Sequence, residues 1–336
     1  MSPARFLCAL VVLAASAIAL VHAREGDAGS AAPSAGHSLV QGIVDVRISL
    51  SFGRLKAAGT GIVLTSDGVV LTNNHVIREA TVIRVRDVDN DRSYAASVLG
   101  YDIRDDVAVL RLHGASGLVT ARLGAASSLG VGDAVSAYGN ALGAGGTPRR
   151  ADGTVTRLNA TAFVHYADGS TERLTKMIES NTDTLPGDSG GPLVDGHGRV
   201  VGINTAGVFG AGTVARSEAI PLAKALAVEK AVRAGRASPR IHVGTGPWLG
   251  VLVEGPDSDR HGVTVAEVSP GSPAERAGLV RGDILVTCNH RLLVHPNDLA
   301  NVLFEDGPGT RVPIAWIDRM GSSRSATVTL GRGTPQ

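Results

Sequence analysis

The chain has only two cysteines, and one of them, Cys8, lies inside an apolar run at the N-terminus. Removal of that run leaves Cys288 alone, which excludes an intramolecular disulfide and leaves stability to the apolar core. Aromatic residues are scarce, at 3% of 336 residues, whereas apolar residues overall reach 43%. A formal charge of +1 leaves no electrostatic footprint for nucleic acid or an anionic membrane surface. The apolar run at residues 6–21 is short for a membrane span of about 20 residues. His242, His261, His290 and His295 lack a cysteine or carboxylate at ligand spacing and read as scattered surface histidines, so no metal is expected. No glycine run follows a phosphate-loop pattern, and no cofactor is expected.

Glycine, by contrast, is abundant, with 43 residues, and the most telling cluster is Gly187-Asp188-Ser189-Gly190-Gly191-Pro192-Leu193. Three glycines allow a tight turn that presents one hydroxyl. Main-chain N–H groups of Gly187 and Ser189, with Asp188 between them, are then available to stabilise a developing oxyanion. A nucleophilic serine needs a base and the base an orienter. Leu71-Thr72-Asn73-Asn74-His75-Val76-Ile77 ends a strand-like alternation with a histidine, and Asp105-Asp106-Val107-Ala108-Val109-Leu110 puts carboxylates at the mouth of another. Asp102, Asp105 and Asp106 all precede that strand. The order His, Asp, Ser is one of the known chain orders of a Ser-His-Asp triad.

The N-terminus reads as a leader: Arg5, the apolar run, and Val21-His22-Ala23 with cleavage expected after Ala23. An uncleaved anchor is the alternative. Residues 24–37 are small and polar and read as a flexible linker. Short β-like runs follow at 42–50, 61–64, 69–72, 81–85, 95–99, 107–112, 134–136, 157–160 and 199–203, punctuated by Gly, Asp and Asn as in an all-β barrel or sandwich. Residues 219–236 have helical spacing and strong helix formers. Residues 237–243 read as a linker, and 244–332 as a second unit.

The segments Gly59-Thr60-Gly61, Thr72-Asn73-Asn74-His75-Val76, Asp106-Val107-Ala108-Val109-Leu110 and Pro186 to Leu193 resemble the HtrA/Deg family of chymotrypsin-fold serine proteases. In the second unit, Trp248-Leu249-Gly250-Val251 resembles the carboxylate-binding loop of that family's PDZ domains. Ser269-Pro270-Gly271-Ser272-Pro273-Ala274-Glu275-Arg276-Ala277-Gly278-Leu279 and Arg281-Gly282-Asp283-Ile284-Leu285 match a further signature. The resemblance covers about residues 40–332. It implies a mainly β fold: a chymotrypsin-like double β-barrel over residues 38–236, dividing near 127–132, followed by a small α+β PDZ domain with a groove helix at 297–303.

It also implies His75 as base, Asp106 as orienter and Ser189 as nucleophile in an exported, periplasmic or cell-envelope endopeptidase acting on unfolded proteins. The PDZ domain would bind peptide C-termini by strand addition. Ile203-Asn204-Thr205 would form a wall of a pocket for small aliphatic residues. Asp183, six before Ser189, is the alternative, a reader of Arg or Lys. Where many relatives carry an aspartate eight before the serine, this chain has Asn181. Residues 208–213 resemble a mobile loop that gates activity. Family trimers form through an aromatic N-terminal segment, for which this chain offers Phe52. A peptide-binding protein with a disused protease domain, or an esterase, would be the other classes.

Overall fold

The computed structural model describes residues 19–20, 40–50, 55–78, 80–124, 129–165, 171–208, 216–255 and 262–333. The expected linker 24–37, most of the leader, Phe52 and residues 209–213 of the glycine-rich loop lie outside the described residues. Of the leader, Ala19–Leu20 form a short strand, β1, beside Ala57 and Ala58. Among the described residues no helix is long and apolar enough to cross a membrane.

The first barrel comprises β2 (Ile43–Leu50), β3 (Leu55–Val63), β4 (Val69–Thr72), β5 (Val82–Asp87), β6 (Ser93–Asp102) and β7 (Val107–Leu112), with a one-turn helix α1 (Asn74–Ile77) after β4. The strands run β3-β2-β5-β6-β7-β4, and pairing of β3 with β4 closes the circuit. Val44, Val46, Ile48, Val70, Val85 and Leu110 fill it. Strand β3 starts earlier than its apolar pattern predicts because its middle is Ala57-Ala58-Gly59, poor in β-branched residues. Gly59 is required there: a Cβ would fall 2.6 Å from Val76 of α1 and 3.2 Å from the Ser189 carbonyl.

The second barrel is closed in the order β10-β13-β12-β11-β8-β9. Its strands are β8 (Ala134–Gly139), β9 (Arg149–His165), β10 (Thr171–Ser180), β11 (Pro192–Asp195), β12 (Val200–Val208) and β13 (Arg216–Pro221). Helix α2 (Leu222–Arg233) is shorter than the 219–236 expected, because Ala219 to Pro221 finish β13. Its buried stripe of Leu222, Ala225, Val228 and Val232 joins a core cluster containing Val107 and Val109 of the first barrel and Ile203 and Ile220 of the second. That shared cluster fixes the barrels against each other and so sets the cleft between them.

The segment read as a linker, 237–243, is partly strand. Ile241–Val243 (β14) pairs with β6 at Asp102 to Gly100, and Gly100 is obligatory because a Cβ would lie 2.3 Å from the His242 carbonyl. Periodicity gave no sign of a three-residue strand whose partner lies far upstream. The His242 ring stacks on Tyr101 at 5.2 Å, and Arg240 reaches the Asp105 carboxylate at 2.6 Å.

The C-terminal unit pairs β15 (Gly246–Trp248) with a late strand at Gly331–Gly333. A second sheet runs β16 (Val251–Glu254), β17 (Val263–Val268), β18 (Ile284–Cys288), β20 (Arg311–Ile317), β21 (Ser323–Thr329), with β19 (Arg291–Leu292) alongside β18. Helices α3 (Pro273–Ala277) and α4 (Pro296–Glu305) complete it. The Ser272-to-Leu279 signature is a helix with both ends specified. Ser272 accepts from the Glu275 N–H, Pro273 opens the first turn, and Gly278 closes it at φ 91°. Cys288 is buried in the core of this unit, and burial pushes its thiol up to about 12.

Candidate active site

The structure brings His75, Asp106 and Ser189 to the junction of the barrels, all three buried. His75 sits in α1, and its ring Nδ1 lies 2.8 Å from Asp106 Oδ2, while its backbone N–H donates to Asp106 Oδ1 at 2.9 Å. One carboxylate thereby fixes both the ring and the backbone of the histidine. Asp106 adopts φ 52°, a left-handed conformation that costs a non-glycine residue roughly 1 kcal/mol or more. The strain is held by neighbours: the Asp106 carbonyl accepts from Asn73 Nδ2 at 2.9 Å and from the Asn74 N–H at 3.2 Å.

Asp105 and Asp102 face elsewhere. Asp105 is paired with Lys224 of α2 at 2.7 Å and with Arg240, and Asp102 accepts from the Asp105 N–H at 3.0 Å. The three carboxylates that the sequence left open are therefore separated by their partners. Asp106 meets the histidine, and its two neighbours tie the loop to α2 and to the segment before β14.

Ser189 stands at the start of the turn into β11, and its Oγ donates to the Thr205 carbonyl at 3.4 Å. Thr205 also donates its own hydroxyl to Asp106 Oδ2. This role was missed from the sequence, which placed Thr205 on a pocket wall. Ile203 is fully buried in the core, and Asn204 Nδ2 bridges the Tyr138 and Pro192 carbonyls at 3.3 and 3.2 Å. All three side chains are thus buried, Ile203 in the core and Asn204 and Thr205 through hydrogen bonds to the chain around the site.

The turn itself is held by its carbonyls. Pro186 O accepts from the Leu142 N–H at 2.6 Å, and Asp188 O from the Gly191 N–H at 3.0 Å. A trans peptide places its N–H opposite its carbonyl, so the Gly187 and Ser189 N–H groups point away from these anchors. Neither has an acceptor among the described residues. The Asp188 N–H is already committed, to Leu185 O at 3.0 Å. Gly187 is required at φ 100°, since a Cβ would meet the Asn140 carbonyl at 2.3 Å.

Asp188 and Asp183 share Arg149. The buried Asp188 carboxylate accepts from the Leu185 N–H at 2.9 Å and lies 3.6 Å from Arg149, and its burial pushes it up to about 6. Asp183 is 60% exposed and paired with the same guanidinium at 2.8 Å. A carboxylate already neutralised at the surface is a poor reader of a substrate Arg or Lys. Behind the turn, Ser217 Oγ donates to the Thr182 carbonyl at 2.5 Å and lies 2.7 Å from Thr184 Oγ1. This buried hydroxyl cluster draws on residues far apart in the chain, and no local pattern announces it.

In the C-terminal unit, Leu249 and Val251 are buried, and Gly250 takes φ 86° against Ser272, where a Cβ would lie 2.2 Å from the Ser272 Cβ. The loop is held by Leu249 and Gly250 carbonyls accepting from the Ala274 and Ser269 N–H groups. Trp248 is enclosed by Gly331 and Gly333, each of which would clash with its ring or Cβ if substituted. Strand β16 follows the loop and is the edge of its sheet.

Two closed six-stranded barrels with a buried Ser, His and Asp at their junction, followed by this sheet, define a trypsin-like serine protease domain with an appended PDZ domain. Family comparison agrees: residues 59–203 match the trypsin-like peptidase domain and residues 264–312 the PDZ domain. The chain thus carries a trypsin-like peptidase domain and a PDZ domain, and its relatives include DegP-like serine endoproteases. It is 32% identical over 300 residues to serine protease PepD of Mycobacterium tuberculosis, covering 85% of this chain and 63% of the relative. It is 33% identical over 290 residues to a probable periplasmic serine endoprotease DegP-like of Ectopseudomonas mendocina, covering 82% of this chain and 56% of the relative. The chain therefore spans less than two thirds of the length of these curated relatives. Among solved structures, the HtrA-type protease AlgW with a tripeptide superposes with a TM-score of 0.50 at 25% identity, over 88% of this chain and 95% of that one.

Proposed function

We propose that the protein is an exported endopeptidase that hydrolyses peptide bonds of unfolded or damaged proteins through an acyl-enzyme. Ser189 is the nucleophile, His75 takes its proton and later gives it to the leaving amine, and Asp106 holds the imidazole in the required tautomer. The Gly187 and Ser189 N–H groups receive the oxyanion. The observation that carries this reading is the bidentate hold of Asp106 on His75, at 2.8 and 2.9 Å, beside a serine whose turn leaves two N–H groups without acceptors among the described residues. Export is supported by the leader-like sequence and by the periplasmic naming of the second relative above. Incubation with casein is expected to yield internal fragments. Turnover of small esters without any casein cleavage would instead make it an esterase.

The PDZ domain is read as a receptor for peptide C-termini: the carboxylate at the Leu249-Gly250-Val251 loop, the peptide as an added strand on β16. A hydrophobic peptide with a free C-terminus is expected to bind, and its C-terminal amide to bind at least about tenfold more weakly by titration calorimetry. Equal affinity for acid and amide would remove the carboxylate from the recognition.

A further inference from the structure

Thr60 lies in β3 of the first barrel, fully buried, yet its N–H and its hydroxyl are both directed at the second barrel. Its N–H donates to the Ser189 carbonyl at 2.8 Å. Its hydroxyl donates to the Gly187 carbonyl at 2.7 Å and accepts from the Asn140 N–H at 2.8 Å. Its own carbonyl accepts from Thr72 Oγ1 at 2.7 Å. Its methyl faces Gly191, where a Cβ would stand 3.0 Å away.

The geometry points to Thr60 as a positioning residue for the oxyanion site, resting on the reading of Ser189 as nucleophile. Four consecutive carbonyls of the nucleophile turn, from Pro186 to Ser189, have anchors: the Leu142 N–H, the Thr60 hydroxyl, the Gly191 N–H and the Thr60 N–H. Only the bond to Gly187 O comes from a side chain, and it crosses between barrels. Gly187 at φ 100° has no Cβ to restrain it, so without that bond the Gly187–Asp188 peptide is held only through the Asp188 N–H at Leu185 O and rotates more readily. Rotation would carry the flanking N–H groups off the point where the oxyanion forms. Those donors are effective only when preorganised, because their reorientation during reaction would forfeit the stabilisation. The Thr60 hydroxyl therefore acts on the transition state without touching substrate. Asn140, which donates to that hydroxyl, couples the same clamp to the segment carrying Leu142.

The test replaces Thr60 by Val, which keeps the shape and removes the hydroxyl, and by Ser, which keeps the hydroxyl. Thr60→Val is expected to lower kcat about 10- to 100-fold on a fluorogenic peptide, with KM within about twofold. Affinity for a peptide boronate, whose tetrahedral oxygen sits where the oxyanion forms, should fall by the same factor as kcat. Affinity for the cleaved product peptide should not change, and Thr60→Ser should recover most of the lost rate. Should Thr60→Val not fold, Thr60→Ala carries the same expectations, with folding checked by thermal melt. A folded variant with parental kcat and boronate affinity would overturn the proposal, as would equal losses in product and boronate binding. Failure of the underlying reading looks different: the parent protein itself would then hydrolyse no peptide and bind no boronate.

Discussion

Replacing Ser189 with Ala is expected to lower kcat on casein and on peptide substrates about 10⁶-fold, with the folded structure unchanged. The expectation is this large because triad members act as a unit. His75 can accept a proton usefully only from the hydroxyl it activates, and Asp106 acts only through His75. What survives is the turn's pair of N–H groups and substrate binding, which still exceed uncatalysed hydrolysis by about 10³–10⁴. The substitution deletes one oxygen whose hydrogen bond, to Thr205 O, is long at 3.4 Å. A thermal melt should therefore coincide with that of the parent. Residual proteolysis at even a hundredth of the parental rate would mean that the peptide bond is attacked by another group.

Asp106→Asn is expected to lower kcat about 10⁴-fold near neutral pH, with little change in KM. The Asp106 carboxylate receives three donors: the His75 N–H, the His75 ring at Nδ1 and the Thr205 hydroxyl. A carboxylate can accept all three, whereas an amide offers one accepting oxygen and one donating nitrogen. Wherever the NH₂ group lies, it opposes a donor. If it faces Nδ1, the ring is driven to the tautomer whose proton sits on Nε2, where the serine proton must go. If it faces the His75 backbone, α1 loses the bond that seats it. The measurement is kcat and KM on one peptide, with the fold followed by melting. A loss below tenfold would show that Asp106 does not orient the base.

The contrast between local and distant determinants explains what could be read from the chain. Val107–Leu112 is visible because six consecutive residues are apolar but for Arg111, and the structure begins and ends that strand where the pattern does. Strand β10, Thr171–Ser180, sets Leu174, Met177 and Ile178 among charged residues without strict alternation and carries no β-branched run, so only its pairing with β9 reveals it. The nucleophile turn announces itself because its glycines are adjacent. The role of Thr205 does not, since its partner Asp106 lies 99 positions away. The same applies to Asp183, whose spacing from Ser189 invites the reading of a cation pocket until Arg149, 34 positions upstream, is seen to hold it. Choosing among Asp102, Asp105 and Asp106 required the family resemblance at first. The structure supplies the physical reason, a left-handed residue at 106 that turns its carboxylate toward His75 while Lys224 and Arg240 hold Asp105.

The central claim is that Ser189 is made nucleophilic by its surroundings. The most direct measurement is reaction of the whole protein with a fluorophosphonate, followed by peptide mass mapping. The expected result is one adduct per chain, located on Ser189, and its absence in Ser189→Ala and in His75→Ala. An adduct on any other residue, or casein cleavage by a chain that the reagent leaves unmodified, would contradict the account.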